Sequence, residues 1–98
     1  MTEIQIILSK IAEEAGEVAQ AAMKAQKYGL NNSRDGKPTK GEMLISEIVD
    51  LGFAIMKLEE ACSTIREIIN KKTVDEEEQI REEKWKTMLE KSKAYEEG

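Results

Sequence analysis

Two acidic segments, Glu13-Glu14-Ala15-Gly16-Glu17 and Glu47-Ile48-Val49-Asp50, bracket the part of the chain around which the rest is built. Glu14 and Glu17 are three residues apart, as are Glu47 and Asp50, and such residues share one face of an α-helix. If both segments are helical and antiparallel, four carboxylates converge between them. These charges repel one another unless a cation lies at their centre, and hard divalent cations such as Mg²⁺ take oxygen ligands.

Helix start signals and periodicity predict an all-α fold. Thr2-Glu3-Ile4-Gln5, Thr39-Lys40-Gly41-Glu42 and Thr73-Val74-Asp75-Glu76 each have the form of a capping box, which marks the first turn of a helix. We therefore predict helices over about residues 2–28, 40–71 and 74–96. Gly29 is expected to end the first helix in the αL conformation. The polar loop 30–39 contains glycine and proline and separates the first two helices.

An apolar stripe runs along each of the first two predicted helices. The first stripe consists of Ile4, Ile7, Leu8, Ile11, Ala15, Val18, Ala19 and Ala22, and the second of Leu44, Leu51, Ala54, Leu58, Ala61, Ile65 and Ile69. Glu47 falls inside the second stripe, with Asp50 to one side, whereas Glu14 lies at the edge of the first, with Glu17 further out. An isolated buried charge is very costly, and no basic residue shares the stripe of Glu47. A bound cation resolves this conflict, and a salt bridge from another helix is the alternative.

The composition indicates a small helical domain and argues against several classes of function. The 98 residues include 40% hydrophobic but only 4% aromatic residues, which fits one small helical domain. We expect long antiparallel helices in a four-helix-type bundle that oligomerisation completes, because so short a chain buries little by itself. The net charge of -5 argues against nucleic-acid binding. The absence of histidine excludes zinc sites and catalytic pairs that depend on it.

The chain shows no sign of a membrane or export route. No apolar run approaches the length of a membrane span, and the N-terminus lacks the order of a signal peptide. Cys62 is the one cysteine and cannot form an internal disulfide. We therefore expect a cytoplasmic protein without a membrane partner.

Positive charge is concentrated between the two acidic segments. The region from residue 24 to residue 40 holds one acid, Asp35, and five basic residues, Lys24, Lys27, Arg34, Lys37 and Lys40. A solvated loop accounts for this distribution. A patch that faces phosphate groups beside the acidic site is the alternative.

The order Glu13-Glu14-x-x-Glu17 followed by Glu47-x-x-Asp50 resembles the all-α nucleoside triphosphate pyrophosphohydrolases of the MazG superfamily. The stretch from Glu13 to Leu30 also looks like the small phage and bacterial members, and the segment from Lys84 to Ser92 does so more loosely. The motif covers residues 13–55. Members often show Glu-Glu-x-x-Asp in the second helix, and here Ser46 replaces the first of those acids.

This resemblance implies hydrolysis of a nucleoside triphosphate between the α- and β-phosphates. Mg²⁺, or Mn²⁺ in its place, would be bound by four acids, namely Glu14, Glu17, Glu47 and Asp50. Either Glu14 or Glu17 would act catalytically by orienting the attacking water. Lys24 and Lys27 would contact phosphates. The family further implies a homodimer or homotetramer.

Other interpretations stay open from the sequence. A non-catalytic oligomeric helical module, for interaction or regulation, is favoured by Ser46 and by the length of the helices. A di-iron bundle is disfavoured because no histidine is present. Gly16 either allows close approach of a helix or ligand or is a tolerated small residue. Trp85 either belongs to a core or interface or stacks on a base.

Overall fold

The computed structural model is all-helical in the part of the chain that it describes, which is the backbone of residues 1–72 and 75–97 and the side chains of residues 1–72 and 77–93. The helices are α1 (Glu3–Tyr28), α2 (Lys40–Ala61), α3 (Ser63–Lys72) and α4 (Asp75–Glu97). The predicted all-α class is confirmed. The chain divides into two compact units, Met1–Ser63 and Thr64–Gly98, and the prediction of one domain stays a prediction.

Capping boxes begin both helices of the first unit, as predicted. The N–H of Gln5 donates to Thr2 Oγ1 at 3.1 Å, and the N–H of Thr2 donates to Gln5 Oε1 at 2.8 Å. Thr39 and Glu42 make the same reciprocal pair, at 3.1 and 3.3 Å. The side chains of the third predicted box, Thr73-Val74-Asp75-Glu76, lie outside the described residues.

Helices α1 and α2 pack against each other as an antiparallel hairpin. Gly41 N donates to Leu30 O at the loop end of the hairpin, and Glu14 meets Glu47 and Asp50 further along it. The seam residues are spaced alternately three and four apart, as in a coiled coil. On α1 they are Ile4, Ile7, Ile11, Glu14, Val18, Ala21 and Ala25, and on α2 they are Lys40, Leu44, Glu47, Leu51, Ala54 and Leu58. All of these residues are buried or half-buried.

The prediction that Glu14 lies at the edge of the first stripe was wrong, because Glu14 occupies the seam itself and is only 6% exposed. Leu8, Ala15 and Ala19, which the predicted stripe included, are exposed. An apolar stripe counted at 3.6 residues per turn is wider than the surface that a single neighbouring helix contacts. The residues that contact that helix repeat every 3.5 residues instead, and they are therefore partly different residues. Each helix of the hairpin therefore places one acid in its packed face.

The predicted single helix over residues 40–71 was also wrong, since it is broken at Cys62. Cys62 is extended, with φ -145 and ψ 104, and its N–H still closes the last turn of α2 on Leu58 O. Cysteine, serine and threonine follow one another from residue 62 to residue 64, and all three are weak helix formers. No glycine or proline marks this break, which is why the sequence pattern did not reveal it.

The loop between α1 and α2 is held against the start of α2. Gly29 ends α1 with φ 91 and ψ 147, a positive-φ cap suited to glycine but outside the predicted αL conformation. Lys40 N donates to Asn32 O at 2.8 Å, and Gly41 N donates to Leu30 O at 2.8 Å. These bonds fix the path of the loop beside the hairpin.

The second unit carries few packed residues. Arg81 donates a hydrogen bond to the backbone oxygen of Lys72 at 2.7 Å, and Glu77 lies 3.9 Å from Lys72 Nζ. Trp85, Met88 and Leu89 are exposed on α4. Among the described helices, none combines the length and apolar character that crossing a membrane requires.

Candidate metal centre and adjoining basic groove

Three carboxylates converge at the middle of the α1–α2 seam. Glu14, Glu47 and Asp50 each offer an oxygen, and these oxygens all lie within 4.8 Å of one another. Oxygens on opposite sides of a bound divalent ion are roughly 4–5 Å apart, which is twice the usual metal–oxygen distance. The helical spacing of Glu47 and Asp50 places both on the side of α2 that faces Glu14.

Two oxygens of this cluster are buried without a hydrogen-bond partner. They are Glu14 Oε2 and Glu47 Oε2. A buried carboxylate oxygen without a partner carries a desolvation cost that a packed seam does not compensate. No ion pair to Glu47 is found among the described side chains, so the alternative of a salt bridge to Glu47 has no support in the part described.

Lys10 neutralises part of the cluster. Its Nζ lies 3.0 Å from Glu14 Oε1 and 3.5 Å from Glu13 Oε1. These two acids raise the pKa of Lys10, with the hydrogen bond to Glu14 as the main cause. Lys10 was not predicted as part of the site, although it lies one helical turn before Glu14, a spacing at which opposite charges meet. One lysine paired with Glu14 does not balance the charge of three carboxylates.

Glu17 is the fourth predicted ligand, and it lies against Glu47. The contact with the Glu47 carboxyl, together with the charge of Glu14, raises the pKa of Glu17 to about 7 from its ordinary value of 4.5. Two carboxyl groups in contact share a proton because their charges cannot both be accommodated at close range. The structure therefore brings three of the four predicted acids within 4.8 Å of one another and places Glu17 against one of them, Glu47.

The composition of this cluster suits a hard divalent cation. All its donors are carboxylate oxygens, without sulfur or imidazole, which favours Mg²⁺ or Mn²⁺ over softer metals. The unpartnered Glu14 Oε2 and Glu47 Oε2 provide the positions that a cation would satisfy. A metal fits this site on the evidence of its own residues.

A cavity of about 260 Å³ opens beside the cluster. It is lined by Glu17, Gln20, Ala21, Lys24, Lys40, Met43 and Glu47. Two acids thus face two lysines across a small space. Glu14 is absent from the lining and lies deeper in the seam.

A larger groove of about 680 Å³ adjoins the cavity and shares Lys24, Lys40 and Met43 with it. Its remaining lining residues are Tyr28, Asn32, Arg34, Lys37 and Pro38. We call this surface the basic groove. It gathers four of the five basic residues that the sequence places between the two acidic segments.

Lys27, the fifth of these, lies elsewhere. Its Nζ is 5.2 Å from the centre of the Tyr28 ring, and it lines neither the cavity nor the basic groove. Of the two predicted phosphate contacts, only Lys24 lies beside the acids. Lys40, Arg34 and Lys37 belong to the same surface but were predicted only as members of a patch.

Ser46 is exposed on α2, and no atom lies within 4 Å of the position that a Cβ on Gly16 would take. The interpretation that Gly16 allows another helix to approach closely therefore has no support within the hairpin.

No family profile, curated protein or solved structure matches this chain.

Proposed function

We propose that this chain hydrolyses a (deoxy)nucleoside triphosphate to the monophosphate and pyrophosphate, with Mg²⁺ or Mn²⁺ held by Glu14, Glu17, Glu47 and Asp50. The observation that carries this proposal is the pair of buried, unpartnered carboxylate oxygens on Glu14 and Glu47 beside the basic groove. Carboxylates that hold a divalent ion next to cations that bind phosphate form a common arrangement for phosphoryl chemistry. The resemblance of the acidic segments to the MazG superfamily supports the same reaction.

In the proposed reaction, a water oxygen attacks the α-phosphorus. The bond from that phosphorus to the bridging oxygen breaks, and pyrophosphate leaves with the bridging oxygen. The water must lose a proton, and Glu14 and Glu17 are the candidates to receive it. Glu17 is the better candidate, because it lines the cavity and Glu14 does not.

The remaining acids have a holding role in this proposal. Glu14 and Glu47 come from the packed seam, so their positions are fixed by the hairpin rather than by a loop. Asp50 is exposed and completes the group from the next turn of α2. A bound divalent ion would neutralise phosphate charge and lower the pKa of the water. Lys24 and Lys40, which line the cavity with Glu17, would contact the phosphates.

A homodimer or homotetramer is part of the proposal. The face of α2 directed away from α1 carries large exposed apolar residues, namely Ile45, Val49, Phe53 and Met56. An α-helix that is apolar on both sides is generally buried on both sides. A second copy of the chain would cover this face.

The proposed protein is cytoplasmic. A nucleotide substrate and a single cysteine both fit that compartment.

The decisive test is release of pyrophosphate from a panel of nucleoside and deoxynucleoside triphosphates with Mg²⁺ or Mn²⁺. The wild type should release it, and Glu47→Gln should lose at least a hundredfold in kcat while remaining helical. Glu60→Gln is the matched control, because Glu60 is an exposed acid of α2 that pairs with Lys57, and its activity should be unchanged. If no triphosphate yields pyrophosphate, the proposal fails.

The non-catalytic helical module is the second candidate, and the exposed apolar face of α2 favours it. An interaction protein would present such a face to a partner. Calorimetry separates the two, since only the enzyme should bind nucleotide in a Mg²⁺-dependent manner. An interaction module would show no such binding to the folded chain.

A further inference from the structure

The basic groove is continuous with the cavity beside the acidic centre, because the two share lining residues. Lys24 and Lys40 line both the groove and the cavity that contains Glu17 and Glu47. Arg34 and Lys37 extend the positive charge away from that point. A ligand that is held at the acidic centre by a divalent ion therefore has a continuous basic surface along which the rest of it can lie.

The groove is suited to anions along its whole length. None of the described residues that line it is acidic, and Asp35, the one acid of the loop, is absent from the lining. Concave surfaces lined by one sign of charge concentrate the field and raise the local concentration of the opposite charge. Lysine and arginine side chains are strong donors to phosphate oxygens.

The same surface offers little for a nucleobase. Tyr28 is the one aromatic side chain among the lining residues, and the Nζ of Lys27 lies over its ring. Phe53 is the other aromatic residue of residues 1–63, and it lies on the outer side of α2 with Lys57 Nζ 5.1 Å from its ring centre. Bases usually stack on aromatic side chains, and Tyr28, which already contacts a lysine, is the one such side chain that the groove offers.

The groove is also fixed in shape by backbone hydrogen bonds. Lys37 N donates to Arg34 O at 2.9 Å, which closes the turn that presents both side chains. Lys40 N donates to Asn32 O and ties the far side of the loop to α2. A preformed site loses less conformational entropy on binding than a mobile loop does.

We propose that the basic groove binds the β- and γ-phosphates of the substrate, the part that leaves as pyrophosphate, and that the site selects its substrate by phosphate-chain length rather than by base. This inference rests on the proposed function for the identity of the acidic centre. It follows that the nucleoside points away from the groove. It also follows that a phosphate chain without a nucleoside occupies the same surface.

The experiment uses inorganic tripolyphosphate as the probe, measured by calorimetry with the full chain in Mg²⁺ and compared with a nucleoside monophosphate. The wild type should bind tripolyphosphate at least tenfold more tightly than the monophosphate. The double variant Arg34→Gln/Lys37→Gln should bind tripolyphosphate at least tenfold more weakly. The control Lys57→Gln/Arg66→Gln removes one lysine and one arginine that do not line the groove, and it should bind as the wild type does.

The outcomes separate this inference from the proposed function. If tripolyphosphate binds as expected but no triphosphate is hydrolysed, the proposed function fails and the groove stands as a polyphosphate site. If triphosphates are hydrolysed but the monophosphate binds as tightly as tripolyphosphate, the inference about the groove is overturned. Unchanged binding by Arg34→Gln/Lys37→Gln, with its helix content intact by circular dichroism, overturns it as well.

A kinetic comparison provides an independent readout. Among triphosphates, kcat/KM should vary less than tenfold with the base. It should fall more than tenfold from a nucleoside triphosphate to the diphosphate of the same nucleoside, which lacks the γ-phosphate. A strong base preference combined with equal use of both phosphate lengths would contradict the proposal.

Discussion

Lys10 Nζ lies 3.0 Å from Glu14 Oε1, while Glu14 Oε2 is buried and has no partner. One oxygen of the most buried acid in the hairpin is thus neutralised from its own helix, and the other is left without a hydrogen-bond partner. Lys10 therefore offsets part of the cost of burying the Glu14 carboxylate. The remaining cost is what a divalent ion would remove.

Mg²⁺ or Mn²⁺ should therefore raise the melting temperature of the protein. Binding to the folded state alone stabilises it by about 2.7 kcal/mol at one hundred times the Kd. For a chain of this size, that corresponds to a rise in Tm of roughly 10–20 °C. The measurement is thermal unfolding followed by circular dichroism, with EDTA as the reference.

Glu47→Gln should abolish most of this rise, because it removes a ligand and leaves three acids. Its metal-free form should be at least as stable as the wild type, since one source of repulsion is gone. Glu60→Gln should keep the full rise. An equal response of Glu47→Gln and wild type to Mg²⁺ would refute the assignment of Glu47 as a ligand.

Lys10→Met should destabilise the metal-free protein, because it leaves the buried Glu14 carboxylate without its cation. The variant should also respond more strongly to Mg²⁺, since no lysine competes for Glu14. Lys10→Arg keeps the charge and should behave as the wild type. Urea unfolding with and without Mg²⁺ measures both effects. A double variant Lys10→Met/Glu14→Gln that is no more stable than Lys10→Met would show that the ion pair is not the cause.

The raised pKa of Glu17 predicts how stability depends on pH in the absence of metal. Its folded pKa of about 7 lies above the ordinary value of 4.5, so the folded state binds more protons than the unfolded state between these values. Stability from this group is complete below pH 4.5 and is lost as pH rises through about 7. Glu17→Gln should remove this part of the slope in urea unfolding between pH 5 and pH 8 in EDTA. An unchanged slope would contradict the contact between Glu17 and Glu47.

Helix starts could be predicted from the sequence because they rest on local spacing. Capping boxes at Thr2 and Thr39 depend on residues three apart, and helical periodicity places Glu47 and Asp50 on one face. That Glu14 meets these two acids depends in addition on the antiparallel packing of α1 against α2. The end of α2 at Cys62 could not be predicted so easily. It depends on several weak helix formers in a row rather than on one strong breaker.

The burial of Glu14 and the basic groove depend on tertiary packing. Which face of α1 is buried is decided by the register of the seam with α2, and a count at 3.6 residues per turn shifts away from that seam within a few turns. The separation of Lys27 from Lys24 depends in the same way on where the loop runs. Both were predicted to contact phosphates, but Lys24 lines the groove and Lys27 Nζ lies over the Tyr28 ring.

Gly41 and Gly16 should respond in opposite ways to replacement by alanine. A Cβ on Gly41 would lie 3.1 Å from Leu30 O, an oxygen that is itself held by the N–H of Gly41. Gly41→Ala should displace the loop and weaken tripolyphosphate binding several-fold. Gly16→Ala meets no atom within 4 Å and should stabilise the protein by about 0.5–1 kcal/mol. Full tripolyphosphate affinity in Gly41→Ala would show that the position of the loop does not matter to the groove.

The outer face of α2 should mediate self-association. Ile45, Val49, Gly52 and Met56 are spaced four, three and four apart, the spacing of a coiled-coil seam, and Val49 is 63% exposed. Val49→Lys would place a charge in the middle of that face and should shift the protein from dimer or tetramer to monomer in analytical ultracentrifugation. Met23→Lys, at a residue of α1 that is 65% exposed, is the matched control and should leave the association unchanged. A wild type that stays monomeric at high concentration would rule out this role for the α2 face.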